Sequence, residues 1–145
     1  AWNIEMHDQM AVEFDGVSET LRLLKERGVK MAIVSTKKHD IICRGLKLMG
    51  IEDVFEVVIA LDDVVNPKPD PEPILLALDR LNAKPEEALM IGDNSHDIEG
   101  GQNAFVRTAG VSWTVKGEAY LATFKPTFML QHISELLEIV EAPSV

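Results

Sequence analysis

The stretch Ala88-Leu89-Met90-Ile91-Gly92-Asp93-Asn94-Ser95-His96-Asp97 is an apolar run that ends in two acids. Four apolar residues closed by a glycine suit a fully buried parallel strand. The break at Gly92 then puts Asp93 at that strand's carboxyl end, where open α/β sheets bind their ligands. Asp97, four residues on, falls on the opening turn of the next helix, so both carboxylates can face one small volume. Two acids about 4 Å apart repel by roughly 1 kcal/mol in water and about 4 kcal/mol at an effective dielectric of 20, so a dry site calls for a cation between them. Mg²⁺ suits such a site, because it takes hard oxygen ligands and keeps several waters. The same pattern fits a plain helix start, with Asp93 as cap and Asp97 as a solvated first-turn acid. Taken alone, the stretch leaves both readings open.

Working outward, the neighbouring segments alternate between helical and strand patterns. Val17, Leu21 and Leu24 form one face of an amphipathic helix that Gly28 stops, and Met31-Ala32-Ile33-Val34 reads as a buried strand ending in Ser35-Thr36. Ile42, Leu46 and Met49 mark a second helix ending at Gly50, followed by a strand at Val57-Val58-Ile59-Ala60. In Asn66-Pro67-Lys68-Pro69-Asp70-Pro71-Glu72-Pro73 prolines stand at alternate positions. Asp70 reads as N-cap and Pro71 as the first residue of a helix carrying Ile74, Leu78 and Leu81, with Leu75 beside them. Lys68 is thereby pinned between two prolines, and a stiff loop at a strand-to-helix junction can aim a lysine inward. Beyond the opening stretch come a helix through Ile98 and Ala104, a strand over 107–113, a short helix over 116–124, a strand over 127–130, and a last helix carrying Ile133, Leu136, Leu137 and Val140. This alternation predicts an α/β fold with a parallel sheet and helices on both faces.

At 145 residues the chain is long enough for one domain with a sizeable core, and 46% hydrophobic with 26% charged residues is the balance of a soluble globular protein. A net charge of -10 with no basic stripe argues against nucleic acid or an anionic membrane as partner. No apolar run approaches the ~20 residues needed to cross a bilayer, and no signal pattern opens the chain. The lone Cys43 has no metal-ligand spacing around it and reads as a helix residue in a reducing compartment, so the expected setting is cytoplasmic. His7 beside Asp8 reads as a surface pair, since no third group supports catalysis.

Three polar features therefore stand at strand ends: Ser35-Thr36, Lys68, and Asp93 with Asp97. A phosphate dianion needs compact donors, a fixed positive charge and usually a metal. A hydroxyl at a strand-to-helix junction can bond a phosphate oxygen beside the next helix's amides, Lys68 can neutralise phosphoryl oxygens, and Asp93 can hold Mg²⁺ as Lewis acid. In order, Ile33-Val34-Ser35-Thr36-Lys37, Lys68-Pro69-Asp70-Pro71 and Gly92-Asp93-Asn94-Ser95-His96-Asp97 resemble motifs two, three and four of the haloacid dehalogenase (HAD) superfamily, whose core is Rossmann-like. Phe14-Asp15-Gly16-Val17, Gly45-Leu46-Lys47-Leu48-Met49-Gly50 and Leu61-Asp62-Asp63-Val64 are similar to its phosphoglycolate-phosphatase-like branch and, within it, to the bacterial inorganic pyrophosphatases associated with serine-phosphorylated HPr. The resemblance implies a Mg²⁺-dependent phosphatase or pyrophosphatase. It also implies Ser35 as phosphate-binding hydroxyl, Lys68 as motif-three lysine, Asp93 as Mg²⁺ ligand and Asp97 as its second acid acting through water. Thr36 and Asn94 would be neighbours of the site, with pyrophosphate or a small phosphorylated molecule as substrate.

The chain departs from the family in one respect. Such enzymes attack phosphorus with the first aspartate of an Asp-x-Asp-Gly-Thr motif on an N-terminal strand, and no such motif is present. Asp15-Gly16 precedes a helix and follows no buried strand. Residues 1–14 accordingly read as a remnant of the cap segment with its return linker, residues 15–141 as a partial core, and 142–145 as a tail. The nucleophile is expected to lie outside this chain, which alone would be inactive or nearly so. The sheet is expected to lack its central N-terminal strand, so that the strands at 29–34 and 88–92 meet or flank a gap which a missing N-terminal segment or a second chain completes. A non-catalytic phosphate-binding or receiver-like signalling module is the alternative, disfavoured because a receiver's acids precede its hydroxyl and lysine, whereas here they follow.

Overall fold

The computed structural model describes residues 3–6, 17–113 and 117–141. Its strands are β1 (Asn3–Met6), β2 (Lys30–Val34), β3 (Val57–Ile59), β4 (Ala88–Gly92), β5 (Arg107–Val111) and β6 (Phe128–Leu130). The helices are α1 (Val17–Glu26), α2 (His39–Leu48), α3 (Glu72–Leu81), α4 (Ser95–Asn103), α5 (Glu118–Ala122) and α6 (Glu135–Glu141), with 3₁₀ turns at Leu61–Asp63 and Pro85–Glu87.

The strands form one sheet in the order β3-β2-β1-β4-β5-β6, every neighbouring pair parallel. β2 from Met31 on and β4 are apolar without a break because both their faces are covered. Along β2, Met31 and Ile33 enter one core with Leu21, Leu24, Leu46 and Leu136, while Ala32 and Val34 enter the other with Ile74, Leu78 and Leu81. β4 divides in the same way: Leu89 and Ile91 face the first core, Ala88 and Met90 the second. The period of two thus assigns alternate residues to the two helical layers. Gly28 and Gly50 end their helices with φ of +83° and +70°, the left-handed geometry that lets Val29 and Ile51 reach back to Leu24 and Leu46 carbonyls.

The expectation of a missing central strand is corrected here. β2 and β4 do flank one position, but β1, read from the sequence as linker, occupies it and pairs with both, Met6 standing beside Ile33 and Ile91. Two parallel edges facing a gap would leave buried N–H and C=O groups unsatisfied, and a four-residue strand suffices to pair them. Smaller differences lie at element ends. α3 begins at Glu72, and Asp70 caps it from outside, its Oδ1 accepting the Glu72 N–H at 2.9 Å. Met49 follows α2 instead of facing the core and is 39% exposed, and Leu75 is exposed as well. β5, α5 and β6 are each shorter than their patterns predict. No helix among the described residues is long and apolar enough to cross a membrane.

Candidate active site

The order of the strands reverses between β1 and β4, and at such a switch point the loops leaving the carboxyl ends open a crevice. The loops after β2 and β4 bring Ser35 and Asp93 to this edge, and the loop between β3 and α3 brings Lys68.

Lys68 is the centre of the constellation. Only 5% of it is exposed, and its Nζ donates to the Val34 carbonyl at 3.0 Å and to Asp97 Oδ1 at 2.6 Å. Asp97 is fully buried and is the ammonium's ionic partner. Its second oxygen, Oδ2, accepts the backbone N–H groups of Asp93 at 3.1 Å and Asn94 at 3.3 Å, while Asn94 Oδ1 accepts the Asp97 N–H at 3.2 Å. This reciprocal box caps α4, so one carboxylate both closes a helix start and neutralises a buried cation. Asp93 is half-buried just above it.

Glycines make the room. A Cβ on Gly92 would overlap Asp97 Cβ, Cγ and Oδ2. One on Gly100 would press on Lys68 Cγ and Ile74 Cδ1 at 3.3 Å, so this glycine of α4 is the floor under the lysine stem. The Lys68–Pro69 peptide bond is cis.

Ser35 is buried. Its N–H donates to the Ile59 carbonyl and its Oγ accepts the Lys37 N–H at 3.1 Å. Thr36 is exposed next to it. Lys38, the N-cap of α2, makes no side-chain cap; instead Asp62 Oδ1 accepts the His39 N–H at 3.2 Å. The fold brings Ser35, Thr36, Lys68, Asp93 and Asp97, all singled out from the sequence, to one edge. Among the described residues no three His, Cys, Asp or Glu side chains gather as a ready metal cage. His7-Asp8 and Asp15-Gly16 lie outside the described residues.

Two contributors escaped the sequence. Glu72 accepts the Val65 N–H at 2.9 Å, the Asn66 N–H at 3.1 Å and the Asn66 Nδ2 at 3.2 Å, and these donors, Val65 first, hold its carboxyl below the usual range against desolvation. Asn103 Nδ2 donates to the Pro69 carbonyl at 2.9 Å. An acid in the first turn after a proline loop is a signal for Glu72; nothing in the local sequence ties Asn103 to a residue so far upstream.

The profile of the Haloacid dehalogenase-like hydrolase family matches residues 1–111. The chain belongs to the haloacid dehalogenase-like hydrolases. Pyrophosphatase PpaX of Listeria monocytogenes is 55% identical over 96% of this chain and 64% of its own length, and PpaX of Bacillus cereus is 52% identical over the same shares. The chain thus spans a little under two thirds of the curated relatives it matches. A crystal structure of a HAD-superfamily hydrolase from Geobacter sulfurreducens is 27% identical with a TM-score of 0.73, covering 86% of this chain and 59% of that one. A HAD member carries its parallel sheet and Rossmann-like order as found here, and the receiver alternative falls with the family assignment.

Proposed function

We propose that this chain is the C-terminal part of a Mg²⁺-dependent phosphohydrolase that cleaves pyrophosphate or a small phosphomonoester through an aspartyl-phosphate intermediate, in a cytoplasmic setting. The nucleophilic carboxylate is supplied from outside these 145 residues. One observation carries the reading: a buried ammonium, fixed between the end of β2 and the first turn of α4, at the carboxyl edge beside Ser35. Pyrophosphate is favoured as substrate by the relatives named pyrophosphatase.

In this reading Lys68 supplies a fixed, dehydrated positive charge for the phosphoryl oxygens, which is worth far more there than in water. Ser35 Oγ, already accepting from Lys37, has its hydrogen to donate to a phosphate oxygen, and Thr36 stands exposed beside it. Asp93 is the carboxylate that would hold Mg²⁺, and one or two carboxylates with waters and substrate oxygens are the usual set for this ion. Asp97 fits that role less well, because both its oxygens are engaged within the protein; its part is to orient Lys68 and the turn bearing Asp93. When bound, Mg²⁺ supplies Lewis-acid stabilisation of the developing charge. In the covalent step a carboxylate oxygen bonds to phosphorus as the bond to the leaving phosphate or alkoxide breaks. Water then cleaves the acyl phosphate, releasing orthophosphate and the carboxylate. The purified chain given pyrophosphate and Mg²⁺ should release orthophosphate only at the background rate. Release that Asp93→Ala abolishes would overturn the external nucleophile.

A further inference from the structure

The loop that carries Lys68 is fastened at both flanks by side chains that belong to neither the strand ends nor the ion pair. Upstream, the Glu72 carboxylate gathers the Val65 and Asn66 amides and the Asn66 side chain. Downstream, Asn103 at the end of α4 reaches the Pro69 carbonyl. Between them the Asp70 N–H returns to the Pro67 carbonyl at 3.0 Å, so the residues on either side of Lys68 have their backbone groups committed.

From this geometry we infer that Glu72 and Asn103 are positioning residues for Lys68: they form a two-point clasp that sets the reach of the ammonium into the crevice. The lysine stem has four rotatable carbons and loses much entropy on burial, so the ion pair with Asp97 alone does not fix where the backbone beneath it sits. Glu72 fixes the entry to the loop from the first turn of α3. Asn103 fixes the exit from α4, the helix that also carries Asp97, so donor loop and acceptor helix move as one body. The importance of this for phosphate chemistry rests on the reading of Lys68 above; the clasp itself does not.

The test is acetylation of the full chain by acetic anhydride, followed residue by residue by mass spectrometry. Lys47, which is exposed, and Lys30, which donates to the Leu81 carbonyl at the far end of α3, serve as internal references. Glu72→Gln removes the charge that gathers two amides, and Asn103→Asp keeps the shape while replacing the donor with an acceptor. Lys68 acetylation should rise about tenfold in Glu72→Gln and about fivefold in Asn103→Asp, the scale of losing charged and neutral hydrogen bonds, with Lys30 and Lys47 unchanged. Unaltered Lys68 rates in both variants, or a rise shared equally by Lys30, would overturn the clasp. A parallel arm with added orthophosphate keeps the two readings apart: if phosphate does not slow Lys68 acetylation in the unmutated chain, the phosphate reading fails, while the variant rates without phosphate still decide the clasp.

Discussion

The helices that follow β2 and β4 both start at the carboxyl edge of the sheet, and their first turns are built on opposite plans. α4 closes itself: Asn94 accepts the Asp97 amide, and Asp97 accepts the amides of Asp93 and Asn94 while pairing with Lys68. α2 does not; Lys38 makes no cap, and one amide is met from a distant turn by Asp62. The contrast separates two tasks. α4's opening turn is a finished, buried brace that holds a cation still. The opening turn of α2, with buried Ser35 and exposed Thr36 in front of it, is the one proposed above to receive the phosphate.

The largest effects should come from breaking the brace. Asp97→Ala leaves a buried ammonium without its ionic partner and should cost about 3–5 kcal/mol in urea unfolding, the range for a buried pair cut on one side. A loss under about 1 kcal/mol would mean that Lys68 simply turns to solvent. Gly92→Ala drives a methyl group into the Asp97 side chain and should cost about 3 kcal/mol, because the overlapped atoms are themselves held by hydrogen bonds. Asn94→Ala, which removes only the cap, should cost about 1 kcal/mol by the same assay.

The other half of the comparison predicts smaller and differently signed results. Asp62→Ala should cost about 0.5 kcal/mol of stability, yet strengthen orthophosphate binding measured by calorimetry, since it removes a negative charge from the helix start proposed to face phosphate. Weaker binding would show that Asp62 shapes the site instead of competing at it. A pH dependence completes the series. Glu72 has its folded pKa held below its unfolded value, chiefly by the Val65 amide, so its contribution is complete above the unfolded pKa and is lost as pH falls through the folded one. The difference in urea midpoint between the unmutated chain and Glu72→Gln should therefore shrink steadily from roughly pH 6 to pH 3.

These contrasts also mark what the sequence could and could not tell. The apolar runs Met31–Val34 and Ala88–Ile91 were legible because a strand buried on both faces needs no alternation, and Ser35 and Asp93 followed as the first polar residues after them. Asp97 was legible as an acid on the first turn of α4, but its tie to Lys68 was not, since that bond depends on how a loop many residues upstream folds over the sheet. β1 was hidden for a different reason. Asn3-Ile4-Glu5-Met6 lacks the unbroken apolar run of a central parallel strand, and its place comes from two flanking edges that need pairing.

The central claim, that Lys68 and the Ser35 loop form a prebuilt phosphate cradle, is tested most directly by titrating orthophosphate with Mg²⁺ into ¹⁵N-labelled chain and following the backbone amides. The account predicts saturable shifts at Thr36, Lys37 and Asp93, and their loss in Lys68→Met. Shifts absent at these amides, or unchanged in Lys68→Met, would contradict it.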